Sequence, residues 1–323
     1  MKTVGIFYVA PHRVELREFE IGEPNPDEVQ VEVQVTGLCA YDTAIYNGFV
    51  PANHSYPFLH GHEGVGVVRQ VGAHVTSMKP GDKVAVMGNL SKLFGHIANV
   101  SENMVTRIPD AAMPLEYWLA EPVSTVVNSV EWSKNVPGDR VAIVGTGFMG
   151  LIFVQALKHT LSAELIAMDI DEHRLELARQ FGATQTINVN SAEGLKQIET
   201  LKENPVDIAI EAAGTQPTLD LSYRILRAGG RLNIFGSHRG TTRTVDIYEW
   251  HHLGIEVVNT SPKISHDFAR VFQRTVKLMG KGVFDLKPLI THSVSPARAP
   301  ELFEIANAKS QNYLKGVVNW SEV

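Results

Sequence analysis

The 323-residue chain has little cysteine and no excess of basic residues. Its single cysteine, Cys39, excludes an intrachain disulfide framework and a cysteine-rich zinc knuckle. Alone, such a cysteine is usually a small buried hydrophobic residue. Lysine and arginine total 29 against 35 acidic residues, and the formal charge of −6 leaves no basic footprint for nucleic acid or an anionic membrane.

Long apolar runs are also missing, because no stretch approaches the ~20 residues that span a bilayer. The N-terminal stretch has the alternation of a strand rather than the pattern of a signal peptide: MKTVGIFYVAPHRVELREFE. Hydrophobic residues at 44% and charged residues at 20% are ordinary for a soluble globular protein. We therefore expect a cytoplasmic protein of two domains.

The first 110 residues are rich in predicted strands. Valines alternate with polar residues from Val29 to Val35, the period-2 pattern of a half-buried strand. Further short strands are predicted at GVGVVRQV and DKVAVM, which flank the turn residues KPGD.

The pattern changes near Glu121, and strands alternate with helices from Arg140 to about Thr260. The predicted strands are RVAIVG, ELIAMD, TQTINV, VDIAIE, RLNIFG and IEVVNT. The predicted helices are FMGLIFVQALKH, DEHRLELARQFG and PTLDLSYRILRAGG. This alternation predicts an α/β fold with a doubly wound parallel Rossmann sheet over 121–260. A helix over about 265–281 and a strand at LKGVVNW are expected to return 261–323 to the domain formed by 1–120.

A glycine-rich turn follows the first strand of the predicted Rossmann domain. Gly145, Gly147 and Gly150 fit G-x-G-x-x-G, and Phe148 and Met149 open the helix that follows. The motif alone is weak, but a strand before it and a helix after it are the context that dinucleotide binding requires. The free N–H groups and positive dipole end of that helix favour a pyrophosphate.

Asp169 ends the next predicted strand, where a carboxylate accepts the ribose hydroxyls of NAD and repels the 2′-phosphate of NADP. The alternative is a helix N-cap, a role that Asp171 can fill instead. Arg174, on the following helix, is a cation that tolerates a phosphate, so the exclusion of NADP is not absolute. The predicted nucleotide is NAD.

Three segments carry side chains that zinc accepts as ligands: GLCAYD around Cys39, GHEGVG around His62 and Glu63, and LAEP around Glu121. Catalytic zinc takes about three protein ligands and keeps one position open. Each residue also has an ordinary structural explanation, such as a core cysteine, a turn histidine or a solvated acid.

These segments resemble the zinc-containing medium-chain dehydrogenases, near the sorbitol and threonine dehydrogenase branch. Residues 61–66 with Gly72 and Val75 match the zinc motif G-H-E-x-x-G-x5-G-x-x-V of that family. GLCAYD is similar to its G-x-C-x-x-D, and Glu121-Pro122 is similar to the E-P of the polyol branch. The resemblance covers nearly the whole chain and implies that the β-rich domain is the chaperonin-10-like catalytic domain.

The resemblance implies that Cys39, His62 and Glu63 are ligands of a catalytic zinc. It implies that Glu121 binds the same ion directly or through a water. Asp42 is then expected to hold the far nitrogen of His62, which fixes its tautomer and raises its basicity as a ligand.

The chain departs from the family in two places. Many relatives carry a structural zinc in a four-cysteine lobe, whereas here only GNLSKL joins the strand DKVAVM to FGHIANV. One zinc per chain is therefore expected.

The residue two after the ligand cysteine is usually Ser or Thr, which relays the alcohol proton, and a histidine often follows three residues later. Here these positions are Tyr41 and Ala44. Tyr41 either supplies the relay hydroxyl or packs in the core.

The predicted function is hydride transfer between NAD and a small-molecule secondary alcohol, polyol or sugar-like, or its ketone. One alternative is a zinc-free NADPH quinone or enone reductase of the same architecture, which would lack the cysteine and GHE ligands. Another is a nucleotide-binding protein without turnover, which only the missing relay histidine supports. The resemblance implies a homodimer or homotetramer that pairs the edge strand IEVVNT with its copy.

Overall fold

A computed structural model describes residues 1–88, 92–109, 113–238, 242–310 and 312–321. Within them the strands are β1 Lys2–Ala10, β2 Arg13–Glu20, β3 Glu28–Leu38, β4 Phe58–Leu59, β5 Glu63–Val71, β6 Lys83–Met87, β7 Ile97–Ser101, β8 Val105–Arg107, β9 Arg140–Val144, β10 Glu164–Asp169, β11 Gln185–Asn188, β12 Val206–Glu211, β13 Leu226–Ile234, β14 Glu256–Asn259, β15 Ile290–Val294 and β16 Lys315–Asn319. The helices are α1 Ala40–Tyr46, α2 Ala120–Ser133, α3 Phe148–Leu157, α4 Glu172–Phe181, α5 Ala192–Glu203, α6 Gln216–Arg224, α7 Ile247–Leu253, α8 Phe268–Gly280 and α9 Ala299–Ala308.

The chain divides into two compact units. Unit 1 comprises Met1–Pro122 and Ala269–Val323, and unit 2 comprises Val123–Phe268. Among the described residues, no helix is both long and apolar enough to cross a membrane.

Unit 1 is built on two sheets around one apolar core. The larger sheet has the order β15-β16-β3-β5-β6-β8, with β7 also paired to β3, and the smaller has the order β2-β1-β4. In β3 the valines at 29, 31, 33 and 35 are buried, while Glu32 and Gln34 remain partly exposed. The alternation predicted for this strand is therefore confirmed. Its exception is Gln30, which is buried with its amide donating to Asn99 Oδ1 at 3.0 Å.

Unit 2 is a parallel sheet of order β11-β10-β9-β12-β13-β14, the strand order of a full dinucleotide-binding fold. Every neighbouring pair of strands in it is parallel. The predicted fold class, a doubly wound α/β sheet together with a separate β-rich domain, is confirmed.

One predicted helix was too long. The segment PTLDLSYRILRAGG was expected to be helical throughout, but α6 ends at Arg224 and the rest of the segment begins β13. Leu226 pairs with Val206 of β12, and the register then shifts across Gly229, whose φ is +68°. Pairing with β12 thus overrides the local helical preference.

Several helices carried no prediction, among them α2, α5, α7 and α9. The start of α5 has a clear local signal, because the Ser191 hydroxyl accepts from Gly194 N at 2.9 Å. The helix buries Ile198 and Leu201 on one face. Of the connection GNLSKL, residues 89–91 lie outside the described residues.

Candidate metal centre and nucleotide site

The candidate metal centre in unit 1 lies where β3 ends and β5 begins. The two strands are antiparallel, with Thr36 opposite Gly64, so the end of one lies beside the start of the other. Cys39 caps α1 directly after β3, His62 precedes β5, and Glu63 is its first residue. One ligand atom from each of Cys39, His62 and Glu63 lies within 4.8 Å of the other two.

This donor set fits zinc, because a thiolate, an imidazole and a carboxylate are the side chains that a three-ligand catalytic zinc site uses. His62 and Glu63 are only 6% and 1% exposed, whereas Cys39 is half-buried. Burying an acid beside other polar side chains is costly unless a positive charge compensates it. The cluster therefore requires a cation beside it, which a bound metal or a neighbouring basic side chain can supply.

Lys315 is a member of this cluster that sequence reasoning missed. It begins β16, which pairs with β3, and its Nζ lies 2.5 Å from Glu63 Oε2. Burial lowers the pKa of Lys315, but Glu63 and Cys39 raise it more, and the net pKa lies above the ordinary value. Lys315 is therefore a buried cation that faces one carboxylate oxygen of a candidate ligand.

Asp42 departs from its expected role. Its Oδ1 lies 3.2 Å from His60 Nδ1 but 3.9 Å from His62 Nδ1, beyond hydrogen-bond range. Its Oδ2 accepts from Cys39 N at 2.8 Å. The predicted Asp42–His62 hydrogen bond is thus replaced by one to His60. Sequence reasoning missed His60, although it stands two residues before His62.

The charges of this cluster perturb its titrations. Burial raises the pKa of Asp42, but His62 and His60 lower it more, so the net pKa is below the ordinary value. For His62, burial lowers the pKa, whereas Asp42 and Cys39 raise it well above the ordinary value. Both shifts favour the charged forms in the metal-free protein.

Glu121 stands apart from the three-residue cluster. It lies in the first turn of α2 and does not belong to the group of ligand atoms within 4.8 Å. Burial raises its pKa most, His62 opposes the shift and Glu63 adds to it, and the net pKa is about 7. Glu121 therefore lies close enough to interact electrostatically with the cluster. Its binding to zinc remains a prediction.

Tyr41, the expected replacement for the relay hydroxyl, is the second residue of α1. Its ring centroid lies 5.4 Å from that of His60 and 6.1 Å from that of His62. It also packs against the core of unit 1. The position suits either role that the sequence left open.

The candidate nucleotide site in unit 2 is the turn between β9 and α3. Gly145 has φ +101°, and a Cβ there would lie 2.8 Å from Ala213 Cβ. A Cβ on Gly150 would collide with the Gly145 carbonyl oxygen, so strand and helix approach too closely for a side chain. Gly147 caps α3 and has open space beside its Cα, and Phe148 and Met149 form the first helical turn.

Asp169 is bound to the same turn. Its Oδ2 accepts from Thr146 N at 2.7 Å and Thr146 Oγ1 at 3.2 Å. Its Oδ1 accepts from Ile170 N and Asp171 N. Because a carboxylate has about four lone-pair positions, a ribose here must displace or share one of these donors. Thr146, inside the motif, was not predicted to take part.

The N-cap of α4 is Asp171, whose carboxylate accepts from His173 N and Arg174 N. The N-cap alternative for Asp169 is therefore wrong. Arg174 Nη1 lies 3.7 Å from Asp169 Oδ1, so this cation is close to the predicted ribose position.

Comparisons with known proteins agree with this architecture. The family model "Alcohol dehydrogenase GroES-like domain" matches residues 25–110, and "Zinc-binding dehydrogenase" matches residues 149–277. Sorbitol dehydrogenase of Bacillus subtilis is 26% identical, with 94% of each chain covered. L-threonine 3-dehydrogenase of Caldanaerobacter subterraneus is 29% identical, covering 85% of this chain and 86% of that protein.

Solved structures share the fold. A putative zinc-binding dehydrogenase of Sinorhizobium meliloti, bound to NADP, superposes with a TM-score of 0.88 at 23% identity, covering 99% of this chain and 100% of that one. The predicted family resemblance is confirmed by the two family models and by the curated relatives along nearly the full length. The chain belongs to the zinc-type medium-chain alcohol dehydrogenases, a family of oxidoreductases.

Proposed function

We propose that this protein is a zinc-dependent dehydrogenase that transfers hydride between NAD and a secondary alcohol, polyol or sugar-like. The observation that carries the proposal is the convergence of Cys39, His62 and Glu63 within 4.8 Å in the interior of unit 1. In this proposal residues 1–120 with 261–323 form the catalytic domain, and 121–260 bind the nucleotide.

The chain's own residues would hold one zinc ion per molecule. Cys39, His62 and Glu63 bind it, and Glu121 joins them directly or through a water. When bound, the ion supplies Lewis-acid chemistry, which polarises the substrate oxygen and lowers the pKa of an alcohol. Lys315 offsets the negative charge that Cys39 and Glu63 bring to this interior. Tyr41 is the candidate to relay the alcohol proton, with its hydroxyl receiving that proton as it passes its own on.

A polyol or sugar-like substrate is supported by two features. Glu121-Pro122 is similar to the polyol branch of the family. The relatives include proteins named sorbitol dehydrogenase and D-xylulose reductase, whose names describe polyol or ketose substrates. A screen of polyols and amino alcohols with NAD is therefore the first activity assay.

Metal analysis tests the proposal most directly. We expect one zinc per chain in the wild type, and loss of both zinc and turnover in Cys39→Ala and His62→Ala, whose folds should persist. His74→Ala is the matched control, because His74 is an exposed histidine paired to Asp27. Two zinc ions per chain, none after supplementation, or near-wild-type rates in a ligand variant would each contradict the zinc mechanism.

The preference for NAD is proposed to come from Asp169. Its carboxylate exchanges or shares one of its present hydrogen bonds for charge-assisted ones to a ribose, each worth roughly 1.5–3 kcal/mol before that exchange, and it repels a 2′-phosphate. A preference of order 10²-fold in kcat/KM follows. Asp169→Ala should lower the affinity for NAD and reduce the ratio of kcat/KM between NAD and NADP, without changing the zinc content.

The competing functions predict different results. A zinc-free NADPH reductase would use NADPH at least as well as NADH and would contain no zinc. A non-catalytic nucleotide-binding protein would bind NAD but oxidise no alcohol. The metal-ligand cluster and Asp169 argue against the reductase, and the NADP in the Sinorhizobium meliloti structure makes the cofactor comparison essential.

A further inference from the structure

The environment of Asp42 points to a positioning role for His60. Asp42 is fully buried, and its Oδ1 lies 3.2 Å from His60 Nδ1. An ionised carboxylate only accepts hydrogen bonds, so His60 Nδ1 must carry the proton and donate it. The Tyr8 hydroxyl lies 3.4 Å from the same oxygen, and Cys39 N donates to the other oxygen.

His62 presents the complementary observation. Its Nδ1 is buried and lacks a hydrogen-bond partner, and Asp42 Oδ1 lies 3.9 Å away. A shift of about 1 Å would bring the two atoms into hydrogen-bond range. Oδ1 can accept this bond while His60 occupies one lone pair, provided that the longer 3.4 Å contact from the Tyr8 hydroxyl is given up.

We propose that His60 is a positioning residue: by donating to Asp42 Oδ1 it fixes the carboxylate opposite His62 Nδ1, and so holds the His62 ring with Nε2 toward Cys39 and Glu63. The inference rests on the proposed metal site, but it assigns this role to a histidine outside the ligand set. Removing a group that orients a metal-bound histidine typically weakens metal affinity about 10–100-fold.

Local geometry supports the arrangement. His60 is 5% exposed, and its ring centroid lies 5.7 Å from that of His62 and 5.4 Å from that of Tyr41. The buried His60 ring therefore lies close to both of these rings while its Nδ1 faces Asp42. Without the His60 donor, Asp42 would keep the bond from Cys39 N to its Oδ2. Its Oδ1 would keep only the 3.4 Å contact with the Tyr8 hydroxyl and would lose the 3.2 Å contact with His60.

A pair of amide variants separates the donor from the bulk of the side chain. Asparagine places an N–H near the Nδ1 position of histidine, whereas glutamine places it near Nε2. His60→Asn should therefore keep zinc affinity within about threefold of the wild type, and His60→Gln should weaken it about tenfold. His60→Leu should match His60→Gln. His74→Leu is the control, because the exposed His74 contacts Asp27 through Nδ1 rather than Asp42.

Affinity is measured on metal-stripped protein by competition with a chelator for Zn²⁺, together with the absorption spectrum of the Co²⁺ form and the unfolding midpoint without metal. We expect changed affinity and a perturbed Co²⁺ spectrum in His60→Gln, with a metal-free midpoint similar to that of His60→Asn. A structural role would instead lower that midpoint and leave affinity unchanged.

Three results would overturn the inference: unchanged affinity in His60→Gln and His60→Leu, equal losses in His60→Asn and His60→Gln, or a Co²⁺ spectrum showing that His60 is itself a ligand. In each case zinc still binds the wild type, and the proposed function stands. A wild type that binds no zinc would overturn both.

Discussion

Replacing Lys315 with methionine removes the cation that faces Glu63 in the interior of unit 1. The two side chains are 4% and 1% exposed, and Nζ lies 2.5 Å from Oε2. The gross attraction at this distance is about 7 kcal/mol at an effective dielectric constant of about 20. Desolvation offsets much of it, and experiments that remove one partner of a buried pair give losses of about 3–5 kcal/mol. We expect Lys315→Met to lower the free energy of unfolding of the metal-free protein by about 3–5 kcal/mol.

Urea unfolding of chelator-treated protein measures this loss. The matched control is Lys315→Met combined with Glu63→Met, which replaces both charges by apolar side chains of similar size. Because no charge is then stranded, the double variant should recover most of the lost stability. A loss below about 1 kcal/mol in Lys315→Met, or a double variant no more stable than the single one, would refute the buried pair as described.

Zinc provides a second measure of the same charge balance. If Glu63 is a ligand, the bound cation compensates its charge after Lys315 is gone. The stability gap between Lys315→Met and the wild type should then narrow in saturating zinc. An equal gap with and without zinc would argue that Glu63 does not bind the ion.

Three further predictions address proton transfer, pH and assembly. Tyr41→Phe should lower kcat about 10²–10⁴-fold and alter its pH profile if the hydroxyl relays the proton, whereas unchanged kinetics would leave Tyr41 a packing residue. Burial raises the pKa of Asp207, but hydrogen bonds from Arg140 and Arg227 lower it more, so the net pKa lies below the ordinary 3.8. The ionised carboxylate therefore stabilises the fold fully above pH 3.8, and this stabilisation is lost as the pH falls through the pKa of the folded state. Asp207→Asn should therefore destabilise at pH 7 and differ less from the wild type near pH 3, as thermal unfolding would show. Val257 is 40% exposed on the edge strand β14. If this edge pairs two copies of the chain, Val257→Lys should reduce the mass measured by light scattering. An unchanged mass would exclude this pairing.

The sequence determined the features that depend on short stretches of chain. Alternating valines fixed the burial of β3, and the glycine spacing at Gly145 and Gly150 identified the turn between β9 and α3. The GHE motif indicated His62 and Glu63 as candidate metal ligands, and the structure places both beside Cys39. Each of these signals is local, because periodicity and turn chemistry act over a few residues.

Only the tertiary structure decided which side chains meet across the chain. Lys315 faces Glu63 because β16 pairs with β3, and neither residue's local sequence indicates that pairing. Asp42 contacts His60 at 3.2 Å and leaves His62 at 3.9 Å, a difference that depends on the relative placement of α1 and the segment that precedes β5. The end of α6 was likewise fixed by the pairing of Leu226 with Val206. Such contacts depend on sheet register and on packing, which bring together residues that are distant in sequence, and a local pattern does not specify either.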